Sequence, residues 1–314
     1  MTAAAVIGIA GLGLVGNALA LRWPQIPGAV LGYDVNAAKC AAFETLRPQA
    51  ARTSIAALAA DCDCLLIAVF DDAQVNAVVD GILAVDAILA APALRCRQVV
   101  CIITVLPTTV RSAGERCIAA GITFIEAPIS GSSAKIAAGE GRMFVGGETA
   151  AIEVLTPVLD AITGHRKMIG TLGQASAAKL STNLVLGLNR MALAEGMALA
   201  ESLGIARKRF LDLLLDSAAT SRAAQEKGPM MVADHFEPPV ATVAQHAKDV
   251  ALMLELSRQT GQRLPMSELH ASILQRSIAR GDAALDNAAV IRVWQEFAQS
   301  KSAAPVNPSP IPAA

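Results

Sequence analysis

A glycine-rich turn between an apolar segment and a helix-forming segment constrains the fold of this chain more than any other feature. The turn is Gly11-Leu12-Gly13-Leu14-Val15-Gly16; it follows the apolar residues 3–10 and opens the helix-forming residues 17–22. In such a strand–turn–helix unit the first glycine permits a tight turn, the second lets the backbone approach a pyrophosphate, and the third lets the helix pack against the strand. The N–H groups at the start of the helix then face the phosphates. The turn therefore predicts a dinucleotide-binding domain in which these six residues contact the cofactor.

An acidic residue at the end of the next apolar segment indicates which dinucleotide is bound. Residues 29–33 are apolar and are followed by Asp34, 18 residues after Gly16. A carboxylate at the tip of the second strand accepts hydrogen bonds from both ribose hydroxyls of an adenosine and repels a 2′-phosphate. Neither Val35 nor Asn36 supplies a cation that would hold such a phosphate. The pattern predicts NAD rather than NADP.

Apolar strands and helices alternate through the first half of the chain. Continuously apolar strands are typical of a parallel sheet that is covered on both faces, and their alternation with helices predicts a doubly wound sheet, the Rossmann fold. The predicted strands after the first two are residues 64–69, 98–104 and 122–126, and the predicted helices are 36–46, 54–60, a helix beginning at Asp71 and Asp72, and 107–120. Ligands of such sheets bind beyond the carboxyl ends of the strands. Val69, Phe70 and Thr104 are therefore expected to lie along the cofactor.

The character of the chain changes after residue 170. A strand at residues 142–145, a helix at 149–162 and a short strand at 167–169 complete the first domain, and a long interdomain helix follows at 175–204. Everything from there to about residue 300 has helical periodicity. Breaks are predicted at Gly204, Gly228-Pro229, Pro238-Pro239, Gly261 and Gly281. We thus predict an NAD-binding domain at residues 1–170, an all-helical substrate and oligomerisation domain at 171–300, and a disordered tail at 301–314.

Composition excludes several classes of function. The formal net charge is −1 and the basic residues are scattered, so nothing favours binding to nucleic acid or to an acidic membrane. Residues 1–21 carry no charge, but four glycines, Asn17 and the lack of a basic start argue against a membrane span or a signal peptide. The six cysteines include no CxxC pair and the four histidines have no ligand spacing, which predicts buried thiols in the cytoplasm and no metal site.

One lysine in the long helix has the surroundings of a general base. Lys179 and Asn183 are four residues apart and share a helix face, beside the apolar Leu180 and Leu184. Desolvation lowers the pKa of an amine, so a neutral lysine able to accept an alcohol proton becomes accessible. The alternative is a lysine at the surface, with only its aliphatic stem buried.

Five separated motifs resemble the β-hydroxyacid dehydrogenase family, which includes 3-hydroxyisobutyrate dehydrogenase, tartronate semialdehyde reductase and, more distantly, 6-phosphogluconate dehydrogenase. The resemblance covers residues 5 to about 298. The motifs are the glycine turn, Asp34, residues 126–132 (EAPISGS), residues 173–183 (GQASAAKLSTN) and residues 248–250 (KDV).

The resemblance implies a role for each matching residue. Lys179 resembles the catalytic lysine and Asn183 the residue that orients the substrate. Thr104 resembles the threonine beside the nicotinamide, and Lys248 the lysine that closes over the cofactor. The loop that resembles the substrate-carboxylate loop consists of Ser130, Gly131 and Ser132. The implied reaction is reversible oxidation of a small β-hydroxy acid by NAD, in a homodimer or homotetramer.

Three departures from the family pattern concern the substrate pocket rather than the reaction. Ser132 replaces the second glycine usual in the loop, Ile103 a serine, and Phe70 a proline. A glyoxylate or semialdehyde reductase that works mainly in the reducing direction is therefore an alternative. An imine reductase is another, although those relatives generally lack the lysine. A non-catalytic NAD-binding or chromatin-associated protein is a third, and neither a lost lysine nor an added basic module supports it.

Overall fold

A computed structural model of the chain describes residues 5–23, 29–88 and 94–299. Contacts divide the chain after Asn183. We call the part up to Asn183 the sheet unit and the part from Leu184 the helical unit. The predicted tail, residues 301–314, lies outside the described residues.

Five parallel strands form the centre of the sheet unit, as predicted. They are β1 (Ile7–Ala10), β2 (Val30–Tyr33), β3 (Cys64–Ile67), β4 (Gln98–Cys101) and β5 (Thr123–Glu126). Their order is β2-β1-β3-β4-β5, so the chain winds outward from β1 in both directions. Most of their side chains are buried, because helices cover both faces. Strands β3 and β4 are shorter than predicted, since their last apolar residues belong to the loops at the carboxyl edge.

The helices between these strands are α1 (Leu14–Arg22), α2 (Ala37–Leu46), α3 (Ile55–Asp61), α4 (Asp72–Ile88) and α5 (Pro107–Ala119). Recognisable residues mark where three of them begin. The side chain of Asn36 accepts a hydrogen bond from the N–H of Ala38, and that of Ser54 from the N–H of Ala57. Pro107 occupies the first turn of α5, where its missing N–H has no consequence. Local sequence thus marks the start of α2, α3 and α5, whereas Gly13 at the start of α1 provides no side-chain cap.

Three further strands extend the sheet beyond β5. The additional elements are β6 (Ile129–Ser130), α6 (Ser133–Ala137), β7 (Arg142–Gly146), α7 (Thr149–Ile162) and β8 (Arg166–Gly170). Strand β7 is antiparallel to β5 and β6 and parallel to β8. The predicted strands at 142–145 and 167–169 are present. The very short β6 and α6 were not predicted, because two and five residues carry no periodic pattern.

The long helix α8 (Gln174–Ser202) begins in the sheet unit and continues into the helical unit, close to its predicted bounds. The other helices are α9 (Arg207–Leu215), α10 (Arg222–Ala233), α11 (Val243–Thr260), α12 (Pro265–Ala279) and α13 (Ile291–Gln299). The predicted break at Gly228-Pro229 is wrong, because both residues lie inside α10. A Cβ atom on Gly228 would lie 2.4 Å from a methyl carbon of Leu211, so close packing on α9 outweighs the low helix propensity of this pair.

A buried polar cluster lies inside the helical unit, where α8, α11 and α12 meet. We call Arg190, His246 and His270 the imidazole cluster; all three are buried, and the two ring centroids are 4.9 Å apart. Burial lowers the pKa of His270 to about 4 and that of His246 well below its ordinary value, and the neighbouring Arg190 adds to both effects. The absence of a side chain at Gly187 leaves room for the two rings. A Cβ atom added there would lie 2.5 Å from Nε2 of His246 and 2.7 Å from Cε1 of His270.

The residues of the described ranges form neither a membrane-spanning helix nor a cluster of metal ligands. No helix there has both the length and the apolarity that a membrane span requires. No group of three or more His, Cys, Asp and Glu side chains in these ranges is placed to hold a metal ion. The six cysteines are free thiols; Cys40 is half-buried and the others are buried.

Candidate active site

The three glycines of the turn occupy three different environments. Gly11 has a φ of +96°, and a Cβ on it would lie 2.5 Å from the carbonyl oxygen of Ala68. A Cβ on Gly16 would lie 1.9 Å from the carbonyl oxygen of Gly11, whereas one on Gly13 would have no atom within 4 Å. The first glycine therefore makes the turn, the third allows close packing of α1, and the second leaves its side open for a ligand to approach.

Asp34 follows β2 and is bound to the glycine turn. Its carboxylate accepts hydrogen bonds from the N–H of Leu12 at 2.8 Å and from the N–H of Asn36 at 2.9 Å. Nζ of Lys39 lies 3.3 Å from the same carboxylate. Lys39 was not among the predicted site residues; the first turn of helix α2 brings it back to Asp34, past Val35 and Asn36. Asp34 thus shapes the turn, and a cation stands beside it.

The other predicted cofactor residues follow strands β3 and β4 at the same edge of the sheet. Val69 is adjacent to the turn, since its N atom would lie 2.9 Å from a Cβ on Gly11. Phe70 is about half exposed, and Thr104 lies three residues beyond the end of β4. Asp72, which had no predicted role, joins the two loops: its carboxylate accepts hydrogen bonds from the N–H of Leu106 at 2.9 Å and from Oγ1 of Thr109 at 2.6 Å. The turn, Asp34 and these loops together fit a dinucleotide along the carboxyl edge.

Lys179 lies inside the sheet unit rather than at its surface. Only 6% of the residue is exposed, and its Nζ donates a hydrogen bond to Oγ of Ser130 at the end of β6. Because the Ser130 oxygen accepts this hydrogen bond, its O–H group can donate a hydrogen bond to another acceptor. Asn183 follows one helical turn after Lys179 and is half-buried. The structure thus brings together two residues that are 49 positions apart in sequence and that resembled parts of one site.

Glu126, at the end of β5, fixes the start of the helix that carries Lys179. Its buried carboxylate accepts hydrogen bonds from the N–H groups of Ala175 and Ser176, both at 2.9 Å, and from Oγ of Ser176 at 2.5 Å. Burial raises the pKa of Glu126 above its ordinary value, although these hydrogen bonds oppose the rise. A carboxylate at a helix N-terminus also interacts favourably with the helix dipole. Glu126 belongs to the motif of residues 126–132, but no role was predicted for it.

The loop after β6 combines an unusual backbone with a capping side chain. Gly131 has a φ of +137°, a conformation that favours glycine. Oγ of Ser132 accepts a hydrogen bond from the N–H of Lys135 at 3.1 Å and so caps α6. The oxygen of Ser132 is therefore engaged in the fold, while its proton stays available to a ligand. This gives the departure from glycine at this position a local structural role.

Lys248 lies in the helical unit, on α11. Its Nζ is 3.0 Å from Oδ1 of the adjacent Asp249, and both side chains are largely buried. The motif of residues 248–250 thus contains an ion pair between Lys248 and Asp249.

Comparisons with known families and proteins match nearly all of the described chain. Residues 6–172 match the family described as the NAD binding domain of 6-phosphogluconate dehydrogenase, and residues 173–294 match the NAD-binding family of NADP-dependent 3-hydroxyisobutyrate dehydrogenase. The chain is 28% identical to 2-(hydroxymethyl)glutarate dehydrogenase of Eubacterium barkeri, over 93% of this chain and 95% of the relative. It is also 28% identical to L-threonate dehydrogenase of Escherichia coli K12, over 92% of this chain and 94% of that relative.

Two solved structures share the fold along almost their whole length. 3-Hydroxyisobutyrate dehydrogenase of Mycobacterium tuberculosis, solved with L-serine, superposes with a TM-score of 0.79 at 24% identity, covering 92% of this chain and 98% of that one. 3-Hydroxyisobutyrate dehydrogenase of Salmonella typhimurium gives a TM-score of 0.77 at 27% identity, covering 91% and 99%.

Proposed function

The chain belongs to the β-hydroxyacid dehydrogenase family of NAD(P)-binding oxidoreductases, and from this premise we propose that it reversibly oxidises a small β-hydroxy acid to its semialdehyde. The observation that carries the proposal is the buried Lys179, hydrogen-bonded to Ser130. The buried amine of Lys179 can accept a proton. The hydroxyl of Ser130 belongs to a loop that resembles a carboxylate-binding loop, and this loop supplies hydrogen-bond donors for an anion.

In the proposed mechanism the chain holds the substrate and moves one proton. The loop of Ser130, Gly131 and Ser132 binds the substrate carboxylate through N–H and hydroxyl donors, and Asn183 orients the alcohol. Neutral Lys179 accepts the hydroxyl proton at Nζ as the carbonyl forms, and in the reverse direction the ammonium group returns it. NAD, when bound, accepts the two electrons and the hydrogen from the alcohol carbon. The glycine turn, Asp34, Val69, Phe70 and Thr104 would hold the cofactor.

Turnover with a panel of hydroxy acids tests this function. The relatives that match over most of their length are named for hydroxymethylglutarate, threonate and hydroxyisobutyrate, which all combine a carboxylate with a hydroxyl on a nearby carbon. We expect NAD-dependent oxidation of at least one of 3-hydroxyisobutyrate, glycerate, threonate, serine and 4-hydroxybutyrate. Absence of turnover with all five, and of reduction of glyoxylate and succinic semialdehyde, would contradict the proposal. A higher kcat/KM for reduction would favour the semialdehyde reductase alternative, to which Ser132 points.

Asp34 is proposed to make the enzyme prefer NAD. Its carboxylate repels a 2′-phosphate, so Asp34→Asn, which keeps an acceptor for the N–H of Leu12, is expected to lower the ratio of kcat/KM for NAD to that for NADP by about 10-fold or more. Lys39 would then be free to attract the 2′-phosphate.

The measurement is the two kcat/KM values for the parent, Asp34→Asn and Asp34→Asn/Lys39→Met. The double variant is expected to lose part of the gain with NADP, because the nearby cation is gone. A parent enzyme with the higher kcat/KM for NADP would show that this assignment of Asp34 is wrong.

A homodimer or homotetramer is the proposed assembly. Large apolar side chains of α8, of the turn after it and of α9 are more than half exposed in the single chain, namely Val185 and Leu199 of α8, Leu203 of the turn and Leu213 of α9. Exposed apolar side chains of this size, repeated over consecutive helices, favour burial against a second copy of the chain. Light scattering at micromolar concentration is expected to give a multiple of the 32.4 kDa chain mass, and Leu199→Glu/Leu203→Glu to lower it. A monomeric parent would contradict the proposal.

A further inference from the structure

The pairing of β6 with β7 places an arginine directly across from Ser130. The antiparallel register pairs Ile129 with Met143 and Ser130 with Arg142. Directly opposite residues of an antiparallel pair point to the same face, with Cβ atoms about 5 Å apart. Arg142 and Ser130 therefore share one face of the sheet.

That face is the one on which Lys179 lies. The neighbouring pair, Ile129 and Met143, is buried in the apolar core on the opposite face. Ser130 instead receives the hydrogen bond from Lys179, so its face contains the proposed proton acceptor. An arginine side chain is longer than the separation between the two strands. Arg142 can consequently reach the space in front of Ser130.

The side chain of Arg142 is exposed and forms no ion pair with the described residues. Among the described residues, no carboxylate lies within 4.0 Å of its guanidinium group. By contrast, four other arginines of the sheet unit are paired with aspartates: Arg52 with Asp61, Arg95 with Asp63, Arg116 with Asp80, and Arg166 with Asp160. Arg142 therefore combines an available planar fork of donors with a position beside the substrate loop. Such a fork matches the geometry of a carboxylate or phosphate.

We propose that Arg142 is a specificity-determining residue that binds a second anionic group on the substrate, so that the preferred substrates are β-hydroxy acids with an anionic side group. This inference rests on the proposed function. The first carboxylate binds the loop of Ser130, Gly131 and Ser132, and the hydroxyl faces Lys179. The substituent on the carbon between them is left to face Arg142. A carboxylate and a phosphate share this recognition chemistry, and the choice of substrates separates them.

Three matched substrates test the proposal. The three compounds share one skeleton, in which a central carbon carries the carboxylate, the hydroxymethyl group and a substituent. The substituent is a methyl group in 3-hydroxyisobutyrate and a methyl group that carries a carboxylate in 2-(hydroxymethyl)succinate. In the third compound the methyl group carries a phosphate instead. For the parent we expect kcat/KM for one of the two anionic substrates to exceed that for 3-hydroxyisobutyrate by about 10-fold or more. The larger of the two values identifies the anion. Equal kcat/KM for all three substrates would overturn the inference but leave the proposed function intact.

Variants of Arg142 then assign the preference to this residue. Arg142→Met is expected to raise KM for the anionic substrate by about 10–100-fold and to change kcat for 3-hydroxyisobutyrate by less than about 3-fold. Arg142→Lys should restore the preference in part, because it keeps the charge but loses the planar fork. The control is Arg97→Met, an exposed arginine immediately before β4, at the opposite end of the strands. Equal losses with all three substrates, or an unchanged KM in Arg142→Met, would contradict the proposed role.

Binding measured without turnover separates this inference from the proposed function. The anionic hydroxy acid is titrated calorimetrically into the parent and Arg142→Met, each saturated with NADH, which cannot accept a hydride, and the affinity of the variant is expected to be weaker by about 10-fold or more. If no hydroxy acid is turned over but this difference is present, the proposed function fails and the anion site stands. If turnover occurs and the two affinities are equal, the anion site fails and the function stands.

Discussion

Replacing Lys179 by alanine is expected to lower kcat by about 10²–10⁴-fold, the usual contribution of a general acid–base group, while NAD affinity changes little. The residue is buried and its Nζ contacts Ser130, so the substitution removes the only amine in the proposed proton path without altering the glycine turn. The measurement is kcat with the best hydroxy acid, together with NAD binding followed by fluorescence. Lys167→Ala, which removes an exposed lysine of β8, is the matched control and should behave as the parent.

Arginine at position 179 separates proton transfer from simple charge. Lys179→Arg keeps a cation beside Ser130, but a guanidinium group does not release its proton near neutral pH. Its kcat is therefore expected to fall nearly as far as that of Lys179→Ala. A general base contributes at least about 10²-fold to kcat. If either variant retains more than about a tenth of the parental kcat, the loss is smaller than this, and Lys179 is not the proton acceptor.

Substituting the third glycine of the turn is expected to disrupt the NAD-binding part of the chain. The added Cβ of Gly16→Ala would lie 1.9 Å from the carbonyl oxygen of Gly11, and only a backbone shift relieves that overlap. We expect a loss of about 3 kcal/mol in the free energy of unfolding, which corresponds to roughly 6–12 °C in Tm for a unit of this size. Thermal unfolding followed by circular dichroism measures the loss. An unchanged Tm would show that α1 does not pack on the turn as described.

Gly13→Ala is the matched variant in the same turn, and the expected loss is of another kind. Gly13 has a φ of −78°, which alanine adopts readily, and its Cβ would meet no atom within 4 Å. The unfolding free energy is therefore expected to stay within about 1 kcal/mol of the parent. NAD affinity should nevertheless fall by about 10-fold or more, a cost of about 1.4 kcal/mol, because the methyl group stands where the pyrophosphate approaches. Parental NAD affinity in this variant would place the pyrophosphate elsewhere.

Local sequence signals were sufficient to predict most of the helices and strands, because each signal depends on residues that are close together in the chain. The glycine turn, the caps at Asn36 and Ser54, and Pro107 define helix starts within a few residues, and the continuously apolar strands indicate burial on both faces. The break predicted at Gly228-Pro229 failed because tertiary packing against Leu211 overrides local propensity there. Strand β6 is too short to show a period of two.

The candidate site was predictable only in part, because its contacts are distant in sequence. Motif spacing indicated Lys179 and the loop at Ser130, and the structure places them in contact. The anchoring of α8 by Glu126, by contrast, depends on a strand end and a helix start about 50 residues apart. Lys39 was not predicted because its contact with Asp34 depends on the first turn of α2, which brings it back to the end of β2. Arg142 becomes notable only through the register of β6 and β7.

The imidazole cluster of the helical unit implies a constraint on how this sequence can diverge. The space that a side chain at position 187 would occupy is filled by the rings of His246 and His270, so residues from three different helices share one small volume. A methyl group at Gly187 is tolerated only if one of the rings becomes smaller, and the loss of a ring leaves a cavity that a larger residue at 187 can fill. The free-energy effects of such changes are therefore coupled rather than additive. Across descendants of this chain, the three positions should change together, so that an alanine at 187 accompanies a smaller side chain at 246 or 270.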